Sequence, residues 1–321
     1  MSQQPPTNTS QSPGETIEQR TRQGIIAGLA AYVMWGLFPI YFKVMSDVSP
    51  LEMLSHRIVW SLPFGALIIW VRHQWPEVKR ALTHGRTLGF LLMSALVITV
   101  NWLTYIYAVQ SGNIFQASLG YYINPLMYVI VGVLFFGEHL RRAQVIAVVL
   151  AAAGVAVLTF SGGEFPVVSI ILGISFTCYG VIRKQVVVGG MPGLFIEVLV
   201  LSPIAAIYLL WLMHAGQSVF VLEQPDMIFG LLLAGPLTVL PLLAFALAAR
   251  RLELSTIGFL QYIAPTMQFC VGLAYGEQFT LAHAWCFGLI WTAVAVFGLD
   301  AWRAGRQLRG LRRARQAGET G

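Results

Sequence analysis

Ten apolar stretches, each roughly as long as a membrane-crossing helix, follow one another along the chain. They lie near residues 24–45, 52–71, 87–109, 116–136, 143–160, 166–182, 193–213, 227–248, 256–275 and 282–302, with only short polar segments between them. A helix of about 20 residues crosses the hydrocarbon core of a bilayer, and it does so because all its backbone polar groups are satisfied internally. A chain divided in this way reads as an all-α membrane protein with ten transmembrane helices. Its residues are 57% hydrophobic and 11% charged, whereas soluble domains carry about 25% charge. There is too little charge to clothe a particle in water, so a soluble globule is excluded.

The basic residues test the count of spans. Arg20 and Arg22, then Arg72, Lys79, Arg80 and Arg86, then Arg141 and Arg142, then Arg183 and Lys184, then Arg250 and Arg251, and finally six arginines between 303 and 315 all fall on one side if there are ten spans. That is 18 of the 20 basic residues, leaving Lys43 and Arg57. Lys and Arg concentrate in cytoplasmic loops, so both termini are expected in the cytoplasm of a bacterial inner membrane protein. Asp47, Glu164, Glu223, Asp226 and Glu277 belong to the opposite face. The net charge of +6 therefore reads as an orientation signal, with no nucleic-acid partner implied. The polar, Pro- and Ser-rich residues 1–23 are expected to be a disordered cytoplasmic tail without a signal peptide. The basic tail, residues 303–321, is expected to meet anionic lipid headgroups. Cys178, Cys270 and Cys286 each lie inside an apolar run with no CxxC spacing and read as small hydrophobes.

The fourth and ninth spans repeat one another. At an offset of 140 residues Tyr122, Ile123, Pro125, Met127 and Gly132 meet Tyr262, Ile263, Pro265, Met267 and Gly272, and the pairs Gly137-Glu138 and Gly276-Glu277 follow. Trp35-Gly36 resembles Tyr179-Gly180 more weakly. Each unit holds five spans, an odd number, so the second must enter the bilayer upside down. The expected organisation is two inverted five-helix repeats, residues 24–161 and 162–302, a common build of secondary transporters with the solute site near the midplane.

Polar residues inside the spans are the candidate site. Lys43, Glu52, His56 and Arg57 fall around the outer ends of the first two spans, and they read either as a cationic lining for the acidic end of a solute and an outer gate, or as snorkelling side chains. Trp35, Asn101, Tyr105, Tyr121 and Asn124, with Gln261 and Tyr262 as the mirror set, offer amides, phenols and a flat wall for a small solute, or hydrogen bonds that bind helix to helix. Pro125 and Pro265, matched across the repeat, are candidate hinges. Glu197 is the other carboxylate that the spans enclose. Small-residue stripes at Gly24-xxx-Gly28 and from Ala151 to Gly154 leave a homodimer open. No P-loop, HExxH or GxSxG motif occurs and the histidines show no ligand spacing, so no cofactor, metal or catalytic residue is expected. A membrane protein without transport activity, a lipid flippase and a lipid-modifying enzyme are the rival readings.

Several stretches, AYVMWGLFPIYFKVMSDVSPLEMLSHRIVWS, NWLTYIYAV, QASLGYYINPL, GEHLRRAQ, SFTCYGVIRK and RLELSTIGFLQYIAPT, together resemble the EamA branch of the drug/metabolite transporter superfamily, over about Gly24 to Trp302. Gln116 departs from the Glu expected there. The resemblance implies a ten-helix carrier working by alternating access. Its implied solute is a small amphipathic metabolite or drug, amino-acid-like or chloramphenicol-like, moved across the inner membrane and outward.

Overall fold

The computed structural model describes residues 17–136, 141–162, 165–220, 225–252 and 254–318. Among them are twelve helices, in order α1 (Ile17–Val44), α2 (Pro50–Val71), α3 (Trp75–Thr83), α4 (Gly85–Gln110), α5 (Ile114–Phe136), α6 (Arg142–Gly162), α7 (Val167–Lys184), α8 (Gly190–His214), α9 (Pro225–Ala249), α10 (Leu254–Leu260), α11 (Ile263–Ala274) and α12 (Leu281–Gly318). Ten segments are long and apolar enough to span a bilayer, each at the place the sequence suggested, with α10 and α11 sharing the ninth. Large apolar side chains cover the outside, including Leu96, Ile204, Leu210 and Phe229. That surface is stable against lipid and not against water.

Three boundaries differ from expectation. Helix α1 already begins at Ile17, inside the segment expected to be disordered, and α12 continues through the basic stretch to Gly318. The loop after the second span contains α3, a short helix that buries Val78 and Ala81. Residues 1–16, and with them most of the expected tail, lie outside the described residues, as do Glu138, Glu164 and Glu223.

The helix ends follow from local sequence. Ser49 accepts the Glu52 N–H at 3.3 Å, with Pro50 in the first turn of α2, a position where a missing donor costs nothing. Helices α4, α8 and α11 each end on a glycine of positive φ, at Gly112, Gly216 and Gly276. The N–H after each glycine reaches back five residues, as from Asn113 to the Ala108 carbonyl at 2.7 Å, which occupies carbonyls the helix end leaves free.

Of the prolines inside spans, Pro39, Pro63, Pro125, Pro203, Pro236 and Pro241 sit within unbroken helices. Only ahead of Pro265 does the helix break, at Gln261 and Tyr262. A proline ring clashes with the carbonyl four residues earlier and cannot bond it, and for Pro265 that carbonyl belongs to Gln261. The two matched prolines thus differ: α5 continues unbroken through Pro125, and the ninth span is divided.

Packing relates the two halves of the chain. Helix α1 packs on α9 and α11, as α7 packs on α4 and α5, while α2 meets α8, α5 meets α11 and α6 meets α12. Matched glycines permit matched approaches: a Cβ on Gly36 would crowd Met267 across α1 and α11, and one on Gly180 would overlap the Tyr128 ring across α7 and α5. The rings of Tyr122 and Tyr262, equivalent positions of the repeat, stack with centroids 6.3 Å apart. This exchange of partners is consistent with two inverted halves. The stripes considered for dimerisation are occupied within the chain, since Gly24 and Gly28 lie against Arg251, Leu252 and Leu260, and Gly154 lies against Cys286 and Ile290.

Candidate functional site

The four residues that sequence spacing grouped at the mouth separate into three places. Glu52, 2% exposed, accepts from the Ser218 hydroxyl and the Val219 N–H, both at 2.9 Å. It therefore holds the α8–α9 loop down on α2. His56 takes the Trp60 indole N–H on Nδ1 at 3.1 Å and stacks on Phe220 at 5.3 Å, and its buried Nε2 has no partner among the described residues. Lys43 stands apart, near Gly112 and within electrostatic reach of Glu277.

Arg57 goes inward. It lies seven residues past Pro50, about 10 Å along the helix at 1.5 Å per residue, and is 6% exposed. Its Nε donates to Thr238 Oγ1 at 2.8 Å. The guanidinium lies 4.2 Å from the Trp102 ring centroid and 5.5 Å from that of Phe38, a cation–π arrangement. The phenols of Tyr41, Tyr105 and Tyr121 lie within its electrostatic reach. Thr238 and Tyr41 escaped the sequence reading. A hydroxyl between Pro236 and Pro241 in an otherwise apolar run was the available signal.

The amide set divides between glue and unspent groups. Asn101 donates to the Leu172 carbonyl at 3.1 Å and to Ser175 Oγ at 2.9 Å, and accepts the Tyr121 hydroxyl at 3.2 Å. Its capacity goes into joining α4 to α7. By contrast the Tyr105 hydroxyl, Asn124 Oδ1 and Gln268 Oε1 are buried with no partner among the described residues, although Gln268 Nε2 donates to the Trp35 carbonyl at 3.2 Å. Trp35 packs edge-on to Tyr32 at 5.5 Å and beside Phe245. Gln261 and Tyr262 form the break between α10 and α11. Among the described residues no three His, Cys, Asp or Glu side chains gather in a way that holds a metal ion.

Two further clusters were not foreseen as units. Near the arginine-rich end, Glu197 is 1% exposed; it accepts from Ser94 at 2.6 Å and Tyr179 at 3.2 Å, and pairs with Arg183 at 3.7 Å. Nearby at that end, Arg20 donates to the Arg250 carbonyl at 3.1 Å. The Arg72 pKa is lowered by burial and then by Arg250 and Arg251.

At the opposite end the Glu277 carboxylate receives the N–H groups of Ile114 and Phe115, the latter at 2.8 Å. It caps α5 from the turn between α11 and α12, where a helix N-terminus favours negative charge. Burial nevertheless raises the Glu277 pKa, against the pull of those two N–H groups and of Lys43. A raised folded value means the folded state holds its proton more tightly. Stability should therefore increase as pH falls from neutral through the raised value towards 4.5, and level off below it. Thermal unfolding at stepped pH should show this slope in the wild type and lose it in Glu277→Gln. An unchanged slope in the variant would assign the effect elsewhere.

Residues 22–160 match the EamA-like transporter family. An uncharacterized transporter of Vibrio cholerae is 44% identical over 296 residues, 92% of this chain and 98% of the relative. Protein RarD of Escherichia coli K12 is 41% identical over 286 residues, 88% of this chain and 96% of the relative. Chloramphenicol-sensitive protein RarD of Pseudomonas aeruginosa is 31% identical, over 88% of this chain and 95% of the relative. The chain belongs to the EamA-like transporter family. As an EamA-like protein with ten apolar spans it is a multi-pass bacterial membrane protein.

Proposed function

We propose that the chain is a secondary transporter that carries a small amphipathic solute across the inner membrane by alternating access, in the outward direction and without catalysis. One observation carries the reading. Tyr105, Asn124 and Gln268 hold buried polar atoms with no partner among the described residues, inside a bundle whose outside is apolar. Buried polar groups are ordinarily satisfied, and in a membrane each unsatisfied one costs several kcal/mol, so such a set belongs to a protein whose interior receives a polar guest. Arg57, Tyr105, Asn124, Trp35, Gln261 and Tyr262 would meet that guest, with Asn101 and Tyr121 holding the wall in place. Lys43 and His56 would line the outer approach.

The break before Pro265 and the curvature available at Pro125 would let the inverted halves rock. The cluster of Arg20, Arg72, Arg250 and Arg251 would face the cytoplasm, with the basic end of α12 against anionic headgroups.

Counterflow in proteoliposomes tests this. Vesicles preloaded with an unlabelled amino acid, nucleoside or chloramphenicol should take up the labelled form of at least one of them transiently and saturably. Absence of uptake above protein-free vesicles across the panel would contradict transport. Lipid turnover without flux would favour the enzyme reading.

A further inference from the structure

A buried charge is ordinarily paired, because removing it from water costs several kcal/mol that only a close counter-charge returns. The repeat places two buried charges in equivalent positions. At the offset of 140 that aligns the fourth and ninth spans, Pro63 of α2 meets Pro203 of α8 and Arg57 meets Glu197; each charge stands seven residues from the start of its helix.

Glu197 is fully provided for, with Arg183 as counter-ion and hydroxyls from Ser94 and Tyr179. Arg57 has one hydroxyl and two ring faces. Among the described residues only one of its five N–H donors meets an acceptor, and no carboxylate pairs with it.

The Tyr105 hydroxyl, within electrostatic reach of the guanidinium, is also without a partner among the described residues. The other two phenols have used their donors, Tyr41 on the Gly230 carbonyl at 2.9 Å and Tyr121 on Asn101. The unspent groups here are donors around a positive charge, which describes a seat for an anion. Aromatic rings stand around it, Phe42 at 5.9 Å and Tyr121 at 5.6 Å from Tyr105.

We propose that Arg57 and Tyr105 bind a carboxylate, so that the solute is a small organic monoanion with an apolar or aromatic body; the inference rests on the transport reading above. A carboxylate takes two parallel N–H bonds from a guanidinium and has lone pairs left for the Tyr105 hydroxyl. A neutral drug leaves the cation unpaired. A zwitterion brings an ammonium group for which the described residues beside Arg57 supply no carboxylate. Organic monoanions are therefore favoured over both.

Direct binding to the full-length protein in lipid nanodiscs tests the site, using labelled 3-phenylpropionate, 4-hydroxybenzoate and indole-3-acetate, each beside its primary amide, with phenylalanine as the zwitterion. At least one acid should bind saturably and at least tenfold more tightly than its amide. Arg57→Gln should abolish that preference. Tyr105→Phe should weaken the acid about tenfold while leaving the amide unchanged. Tyr105→Phe removes only a hydroxyl without a partner, so it reports on the site even if Arg57→Gln does not fold. Equal binding of acid and amide, no binding of any acid, or a preference that survives Tyr105→Phe undiminished would overturn the proposal. If Arg57→Gln still carries an organic acid at the wild-type rate, transport stands and the carboxylate seat falls. If acids bind through Arg57 and no solute shows counterflow, the seat stands and transport falls.

Discussion

Replacing Gly235 by alanine should destabilise the protein by about 3 kcal/mol, the upper part of what overpacking costs. The added methyl group would overlap the carbonyl oxygen of Trp60 and press on the Phe64 ring. The obstacle is backbone of α2, which cannot turn aside as a side chain does. Helices α2 and α9 would have to separate, and the damage would reach the site, because Arg57 lies three residues before Trp60 and its partner Thr238 three residues after Gly235. Gly288→Ala is the matched control, since a Cβ there meets nothing within 4 Å; relieving a glycine inside a helix should stabilise by up to about 1 kcal/mol. Thermal unfolding in nanodiscs should separate the two variants by several degrees. Equal melting temperatures would mean that α2 and α9 are not in the close contact described.

Arg183→Met should cost about 3 to 5 kcal/mol, because it strands Glu197 as a buried carboxylate without its counter-ion. The Ser94 and Tyr179 hydroxyls remain but supply dipoles, not charge. Removing both members, as Arg183→Met with Glu197→Met, should recover most of the loss, since an apolar pair is often no worse than a buried ion pair. The comparison reads the coupling directly. If the double variant is as unstable as Arg183→Met alone, Arg183 acts through something other than Glu197, such as its bond to the Gly189 carbonyl at 3.2 Å.

The spans were legible because membrane thickness and loop charge act on composition, and composition is visible in one dimension. The site was legible only as a collection of residue types. Helix spacing put Glu52 and His56 on one face of α2 with Arg57 beside it, and that much is sound. What spacing does not contain is how α2 is turned against α8 and α9, so it could not tell that Glu52 holds a loop while Arg57 enters the bundle. Asn101 and Tyr105, four residues apart on α4, illustrate the same limit: one is saturated by α7 and α5 and the other has no partner among the described residues. Pro125 and Pro265 look alike in the repeat, yet only the latter has a divided helix. The equivalence of Arg57 and Glu197 lay in the offset of 140 from the start. A comparison that looks for identical residues passes over a position where the charge is reversed.

The claim underlying all of this is that two inverted halves alternate around the interior that holds Arg57. Pulsed electron resonance on spin-labelled protein in nanodiscs tests it most directly, with Cys178, Cys270 and Cys286 replaced by alanine. One pair of labels at Ser111 and Gln278 reports the Glu277 end, and a second at His84 and Ala249 reports the arginine-rich end; all four positions are exposed. The account predicts two distance populations at each end, with solute shifting the ends in opposite senses. A single unchanging distance at both ends, with and without a solute that binds, would contradict it.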